Sequence, residues 1–206
     1  MMLPDRTVAS ATSIAVSGEE VRREHAADDQ LSIDSAPLRV AVLGSTGSIG
    51  KNTLEGIAAS EGRFKVHLLG GHRSIDVLVE QAQVCLPRWV VVTDSAAAAS
   101  LGSGALPKGT ELVVGPERLE ELLTGPEIDR VVSAIVGAAG LRSTWSALAA
   151  GKTVALANKE TLVTAGPLVT QLAARSGATI VPVDSEHSAI HQALRSGRRP
   201  VSYTHL

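Results

Sequence analysis

The sequence predicts an α/β protein with a doubly wound, mostly parallel sheet. From Leu38 onward, short β-branched runs alternate with longer segments of helical periodicity, which is the pattern of βαβ units. Hydrophobic residues make up 44% of the chain and aromatic residues only 2%, so the interior consists mainly of Ala, Val, Leu and Ile. Such a composition suits helices that pack closely on a parallel sheet.

The candidate strands are short, and helical segments or turns separate them. They are Leu38 to Leu43, Phe64 to Leu69, Trp89 to Thr93, Glu111 to Val114, Arg130 to Ile135, Thr153 to Leu156 and Thr179 to Val183. The first helix has an apolar face made of Leu54, Ile57 and Ala58. A later helix has an apolar face made of Leu119, Leu122 and Leu123. Left-handed glycine caps are expected where helices end before strands, at Gly62, Gly125, Gly151 and Gly177.

A glycine-rich turn follows the first strand, with the sequence Gly44-Ser45-Thr46-Gly47-Ser48-Ile49-Gly50. Glycines let the backbone turn sharply and approach a pyrophosphate, and the free N–H groups at the start of a helix favour an anion. The turn therefore predicts a dinucleotide site of the Rossmann kind. Its G-x-x-G-x-x-G spacing is a variant of the commoner fingerprint, so a tight turn without a ligand stays open as an alternative.

The end of the second strand indicates which dinucleotide is bound. An acidic residue there would hold the ribose of NAD, whereas a basic residue would accept the 2′-phosphate of NADP. The strand ends in Gly70-Gly71-His72-Arg73, and no carboxylate follows until Asp76, which favours NADP. The alternative is that Arg73 lies on a solvated helix start.

A second polar cluster follows the strand that ends at Leu156, where Ala157 precedes Asn158, Lys159 and Glu160. Open α/β sheets bind ligands at this edge. A lysine there can clamp an anionic oxygen, and Asn158 can hydrogen-bond a cofactor amide or ribose. A plain surface helix start is the alternative.

The third cluster is Asp184-Ser185-Glu186-His187, which again follows a β-rich run. In an extended segment Asp184 and Glu186 project to the same side, as paired oxygen ligands of a hard divalent cation would. Ser185 is then available to a substrate. A helix cap with an acidic first turn is the alternative.

Bulk properties exclude several classes of protein. The formal net charge is -2 and only 19% of residues are charged, so we expect no nucleic-acid partner. Cys85 is the single cysteine, and no apolar stretch is long enough to span a bilayer, so the cytoplasm is the expected compartment. Residues 1–37 carry acidic residues and lack the order of a secretory signal, and we expect them to form a mostly mobile extension.

Together, the motifs resemble the 1-deoxy-D-xylulose 5-phosphate reductoisomerase family, NADPH-dependent enzymes of the non-mevalonate isoprenoid pathway. The similarity runs from about Leu38 to about Leu194. It includes the stretches from Leu43 to Gly50, from Ala134 to Leu141, from Ala157 to Glu160 and from Pro182 to Ile190. The stretch from Ala134 to Leu141 is not a generic nucleotide signature.

The resemblance implies roles for individual residues. Those expected at the NADPH cofactor are Thr46, Gly47, Ser48, Ile49, Gly71, His72, Arg73, Asn158 and Glu160. Lys159, Ser185 and Glu186 would contact the phosphorylated sugar substrate, and Asp184 and Glu186 would hold Mg²⁺ or Mn²⁺. Lys159, Asp184 and Glu186 are therefore the expected catalytic residues. The family rearranges 1-deoxy-D-xylulose 5-phosphate and reduces it to 2-C-methyl-D-erythritol 4-phosphate, and it is expected to act as a homodimer.

The chain also departs from the family pattern. His72-Arg73 stands where lysine and asparagine are common, and the stretch before Gly71 is one residue shorter. Family members are longer, so we expect a truncated chain, inactive alone, whose last residues from Val201 are foreign to the pattern. The expected organisation is an extension over 1–37, an NADPH-binding domain over 38–178 and the start of an α+β catalytic domain over 179–206.

Two alternatives stay open from sequence. Another NADP-dependent oxidoreductase, such as a semialdehyde dehydrogenase, would need a catalytic cysteine after the cofactor sheet, whereas Cys85 falls earlier, in a predicted helix. A non-catalytic NADP-binding module is the second alternative.

Overall fold

The computed structural model describes residues 36–183, 188, 189 and 192, and the unit that begins at Pro37 is built around one sheet. The sheet has seven strands in the order β4-β3-β2-β1-β5-β6-β7, and every pair is parallel. The strands are β1 Leu38–Leu43, β2 Phe64–Gly71, β3 Trp89–Val92, β4 Glu111–Val114, β5 Arg130–Ser133, β6 Thr153–Leu156 and β7 Thr179–Pro182. The strand order reverses between β1 and β5, which confirms the predicted doubly wound fold.

Six helices in the described part connect the strands. They are α1 Ser48–Ala58, α2 Ile75–Cys85, α3 Ser95–Ala99, α4 Pro116–Thr124, α5 Ala139–Ala149 and α6 Lys159–Ser176. Helix α6 has a non-helical residue at Ala165 (φ −135°), close to Pro167. Because proline has no N–H group and its ring clashes with the preceding turn, it accounts for this kink.

The apolar core lies on both faces of the sheet. Along β1, Ala41 and Leu43 belong to one buried cluster, while Val40 and Val42 belong to another. Since successive strand residues point to opposite faces, the two clusters are separated by the sheet. The first includes side chains of α4, α5 and α6, and the second includes side chains of α1 and α2. Helices therefore cover both faces, as expected for a parallel sheet.

The structure corrects several local predictions. Gly151 and Gly177 have positive φ angles at helix ends, as predicted. Gly62 also has a positive φ angle, but α1 ends at Ala58 and its C-cap is Ala59, so Gly62 does not cap the helix. Gly125 has φ −69° and ψ 163°. Pro126 explains the exception, because a residue before proline is restricted to extended conformations. Ala58, the last residue of α1, is exposed rather than part of an apolar face.

Strand ends also differ from the prediction. Strand β2 continues through Gly70 and Gly71, because both pair with β3. Strands β3, β5 and β7 are shorter than expected and end at Val92, Ser133 and Pro182.

The predicted division into domains stays a prediction. Strand β7, with which the second domain was expected to begin, pairs with β6 as the edge of the same sheet. The predicted extension lies outside the described residues, apart from its last two positions. No helix in the described part of the chain is long and apolar enough to cross a membrane.

Candidate functional site

The glycine turn is packed against two neighbouring strand ends. Gly44 has φ +73°, and a Cβ there would lie 2.6 Å from the carbonyl oxygen of Ala134, which follows β5. The N–H groups of Gly44 and Ser45 both donate to the carbonyl oxygen of Gly70, at 2.9 and 3.1 Å. Only glycine fits position 44, because both the φ angle and the close approach exclude a side chain.

Gly47 is the N-cap of α1, and no side chain caps this helix. Its φ of −77° and ψ of 171° are extended. Gly47, Ser48 and Ile49 are all exposed. The first N–H groups of α1 therefore face an open region, where the positive end of the helix dipole favours an anion.

Gln81 of α2 holds the turn from behind. The Ser45 hydroxyl donates to Gln81 Oε1 at 2.8 Å, and Gln81 Nε2 donates to the Ser45 carbonyl oxygen at 2.8 Å. Ser45 is fully buried. This reciprocal pair satisfies two polar groups of the turn and fixes its position relative to α2.

The residues after β2 pair with those after β3. His72 Nδ1 lies 2.9 Å from the hydroxyl of Thr93, and Arg73 Nε donates to Asp94 Oδ2 at 2.7 Å. Asp94 also caps α3 by accepting from the N–H group of Ala97 at 2.9 Å. The bonds from Ala97 and Arg73 hold the pKa of the Asp94 carboxyl below its usual value.

Asn158 is buried behind the loop that follows β5. Its Nδ2 donates to the carbonyl oxygens of Ile135 and Gly137, at 2.7 and 2.8 Å. Its Oδ1 accepts from the N–H group of Thr161 and so caps α6. Both amide hydrogens of Asn158 are thus engaged within the protein, and they fix the shape of the loop.

A cavity of about 620 Å³ opens between these elements at the carboxyl ends of the strands. The glycine turn and the end of β2 line one part of it, with Gly44, Thr46, Gly47, Gly71 and His72. This is the edge, at the reversal of strand order, where open α/β sheets bind ligands. The volume falls within the usual range for small-molecule sites, roughly 300–1,000 Å³.

Helices α4 and α5 line another part of the cavity, where Leu119 contributes an apolar side chain. Glu120 and Arg142 also line it and form an ion pair, with Arg142 Nε 3.1 Å from Glu120 Oε1. The cavity therefore combines an apolar wall with paired charges and the open start of a helix.

The structure brings together some of the predicted site residues. Thr46, Gly47, Gly71 and His72 line the cavity. Ser48 and Ile49 lie in the first turn of α1, and Arg73 is exposed next to His72. Asn158 is held by the protein itself, and the backbone of Lys159 and Glu160 forms the first turn of α6.

The expected metal and substrate ligands Asp184, Ser185 and Glu186 lie outside the described residues. Within the described part, no three His, Cys, Asp or Glu side chains come together as a metal site. The roles expected for individual site residues therefore stay predictions.

Several residues at the site were not predicted from the sequence, namely Gln81, Glu120, Arg142 and the pair Thr93-Asp94. Gln81, Glu120 and Arg142 lie within helices and belong to no local motif, so only packing brings them to the site. Thr93-Asp94 follows the third strand at the ligand-binding edge, and that position was a usable indication.

Fold and cavity together define a dinucleotide-binding α/β protein of the Rossmann type. Residues 40–166 match the family model described as 1-deoxy-D-xylulose 5-phosphate reductoisomerase. The chain belongs to this family, which confirms the resemblance found in the sequence.

Individual relatives agree with this assignment. The reductoisomerase of Methylococcus capsulatus is 46% identical over 169 residues, which cover 79% of this chain and 43% of the relative. The Zymomonas mobilis enzyme in complex with NADPH is 40% identical with a TM-score of 0.71, over 76% of this chain and 41% of that one. A reductoisomerase in complex with NADPH, fosmidomycin and magnesium is 41% identical with a TM-score of 0.70, over 77% and 40%. The chain thus spans less than half the length of these relatives.

Proposed function

We propose that this chain supplies the NADPH-binding part of a 1-deoxy-D-xylulose 5-phosphate reductoisomerase. The observation that carries the proposal is the cavity at the reversal of strand order, bordered by the glycine turn and by the end of β2. The solved relative from Zymomonas mobilis holds NADPH and shares this fold over 76% of the present chain. The proposed reaction is the NADPH- and metal-dependent conversion of 1-deoxy-D-xylulose 5-phosphate to 2-C-methyl-D-erythritol 4-phosphate.

The described residues fit the cofactor. The uncapped start of α1, with Gly47, Ser48 and Ile49, offers N–H groups to the pyrophosphate. His72 and Arg73 follow β2, the strand whose end contacts the adenosine ribose in dinucleotide-binding folds of this type, and a basic pair there would suit a 2′-phosphate better than a free hydroxyl. NADPH, when bound, supplies the hydride for the reduction. The part played by these residues is to bind and orient it.

Roles for the remaining residues rest on the family resemblance. Lys159 would contact the substrate, as would Ser185 and Glu186. Asp184 and Glu186 would hold Mg²⁺ or Mn²⁺, because hard divalent cations prefer carboxylate oxygens. We further propose a homodimer in the cytoplasm, without nucleic-acid or membrane partners.

The position of Cys85 argues against the alternative of a semialdehyde dehydrogenase, which would need a catalytic cysteine. Cys85 is the last residue of α2 and packs against the core cluster on that face of the sheet. Burial raises the pKa of its thiol, which is opposite to the activation that a nucleophilic cysteine needs.

Successive titrations test the proposal and distinguish it from a non-catalytic module. NADPH is titrated into the chain by calorimetry, and 1-deoxy-D-xylulose 5-phosphate is then added with and without Mn²⁺. The proposal predicts NADPH binding at one site per chain, followed by substrate binding that depends on the metal. Cofactor binding without metal-dependent substrate binding favours the module, and absence of NADPH binding contradicts the cofactor site.

A further inference from the structure

Two consecutive residues after β2 are matched by two consecutive residues after β3. His72 is paired with Thr93, and Arg73 is paired with Asp94. His72 Nε2 also lies 3.8 Å from the Asp94 Oδ2 atom that accepts from Arg73. The Thr93 hydroxyl also lies 3.4 Å from the carbonyl oxygen of Gly71. The end of β3 thus contacts both residues that follow β2, and Thr93 lines the cavity together with His72.

Asp94 is a rigid support for Arg73. Its carboxylate is held by the N–H group of Ala97 through Oδ1 and accepts from Arg73 through Oδ2. The side chain of Asp94 is only 14% exposed, whereas that of Arg73 is 74% exposed. A firmly held acceptor therefore fixes a side chain that would otherwise be free to change rotamer in solvent.

The bond between Arg73 and Asp94 leaves the far end of the guanidinium available. Asp94 accepts from Nε at 2.7 Å, and no other hydrogen bond of Arg73 is found in the described part of the chain. The terminal N–H groups of an arginine form a planar fork that matches phosphate oxygens. An arginine anchored at Nε thus presents this fork in one direction.

We propose that Asp94 is a positioning residue that holds Arg73 for the 2′-phosphate of the cofactor and so sets the preference for NADPH over NADH. The inference rests on the proposed NADPH site. Asp94 acts through Arg73 and needs no contact with the cofactor. An arginine already held in place loses less conformational freedom when it binds a phosphate.

Because Asp94 is negatively charged, replacing it has two opposite effects on NADPH affinity, and the direction of the net change tests the proposal. A carboxylate near a phosphate repels it, so removing the charge alone would tighten NADPH binding. Removing the support of Arg73 would weaken it. The proposal requires the second effect to exceed the first.

Replacing Asp94 by asparagine separates these effects. In Asp94→Asn, the Oδ1 atom can still cap α3, but Nδ2 cannot accept from Arg73. Asp76→Asn is the matched control. It removes the same charge from an exposed residue in the first turn of α2, close in sequence to Arg73. Equilibrium unfolding shows whether both variants keep their fold.

Dissociation constants for NADPH and NADH are measured for wild type, Asp94→Asn, Asp76→Asn, Arg73→Ala and the double variant Arg73→Ala with Asp94→Asn. We expect Asp94→Asn to weaken NADPH binding roughly three- to tenfold, because the Arg73 side chain would then have to be ordered when the cofactor binds. NADH binding should change less than about twofold, since NADH lacks the phosphate that Arg73 would hold. In the Arg73→Ala background, Asp94→Asn should cause no loss of NADPH affinity, and only the small gain expected from removing a negative charge should remain.

Other outcomes overturn the inference. Tighter NADPH binding by Asp94→Asn would show that repulsion dominates. An equal loss for both cofactors, or an undiminished effect without Arg73, would show a structural role only. The same measurements distinguish a failure of this inference from a failure of the proposed function. A wild-type chain that binds NADPH no better than NADH would contradict the proposed NADP site itself. If Asp94→Asn unfolds, Arg73→Lys tests the pair from its other end, because a lysine has neither the Nε–H that Asp94 holds nor the planar fork; binding of 2′,5′-ADP and 5′-AMP is then measured for Arg73→Ala and Arg73→Lys. The arginine fork predicts that Lys fails to restore 2′,5′-ADP affinity, and full restoration contradicts it.

Discussion

Gly140 lies so close to Asn158 that a Cβ at position 140 would be 2.7 Å from Asn158 Nδ2. The same Cβ would lie 3.0 Å from the carbonyl oxygen of Ile135, which Asn158 binds. Glycine at the start of α5 therefore lets Asn158 reach the loop after β5. Ile135 and Ala139 of this region line the cavity, so a packing requirement in the core shapes one wall of the proposed cofactor site.

Gly140→Ala should destabilise the protein by about 1–3 kcal/mol, because the added methyl group forces Asn158 or the loop to move. NADPH affinity should fall as well. Gly56→Ala is the control, since Gly56 lies in α1 and an added Cβ would meet nothing within 4 Å beyond its chain neighbours and the backbone of its own helix. This change should stabilise the protein by about 0.5–1 kcal/mol. Urea denaturation measures both variants, and equal stability of Gly140→Ala and wild type would contradict the account.

Gln81→Leu should destabilise the protein by about 1–3 kcal/mol, because the hydroxyl and carbonyl of buried Ser45 lose their shared partner. Gln83→Leu is the control, as Gln83 is exposed and bonds only Ala105 in the described structure. Its unfolding free energy should change by at most about 0.5 kcal/mol. Denaturant titration compares the two, and a similar loss in both would disprove a specific role for Gln81.

Acid should remove the stabilisation that Asp129 provides. Arg39 holds the pKa of the Asp129 carboxyl below its usual value, through bonds of 3.0 Å from Nε and 2.9 Å from Nη2. Because the folded pKa lies below the unfolded one, the contribution is complete above the unfolded value, about 3.9, and disappears as pH falls through the folded value.

Asp129→Asn should therefore be less stable than wild type at pH 7, and the difference should shrink as pH falls below about 4. Unfolding free energies measured across this range for both proteins provide the check. A difference that stays constant down to the lowest pH would show that the ion pair contributes nothing to acid sensitivity.

Much of the fold could be predicted because its periodicity is local. The alternation of β-branched runs and helical segments located every strand of the described sheet, although β2 extends through Gly70 and Gly71. The predicted strand stopped at Leu69, yet pairing with β3 keeps both glycines in the sheet. The extended conformation of Gly125 could also have been predicted, since Pro126 follows it.

The candidate site was predictable only where its residues are contiguous. The glycine turn and His72-Arg73 follow strands directly, so their place at the sheet edge follows from the fold. Gln81 and Arg142 reach the site from helices, through contacts with residues 36 and 22 positions away. Asn158 was predicted to hydrogen-bond the cofactor. Its position in the sequence does not reveal that its side-chain amide donates to the carbonyl oxygens of the loop after β5.

Binding of the cofactor pyrophosphate at the start of α1 is tested most directly by a charge at position 47. Gly47 has an extended conformation, and an added Cβ would meet only the Gly44 carbonyl oxygen, at 3.4 Å. Asp and Asn are both good N-caps, so Gly47→Asp and Gly47→Asn should keep the fold.

The two variants differ mainly in charge, which makes the NADPH dissociation constant, measured by calorimetry on both, the decisive quantity. Gly47→Asp should bind NADPH more than about tenfold less tightly than Gly47→Asn, since its carboxylate would face the pyrophosphate. Equal NADPH affinities of the two folded variants would contradict it.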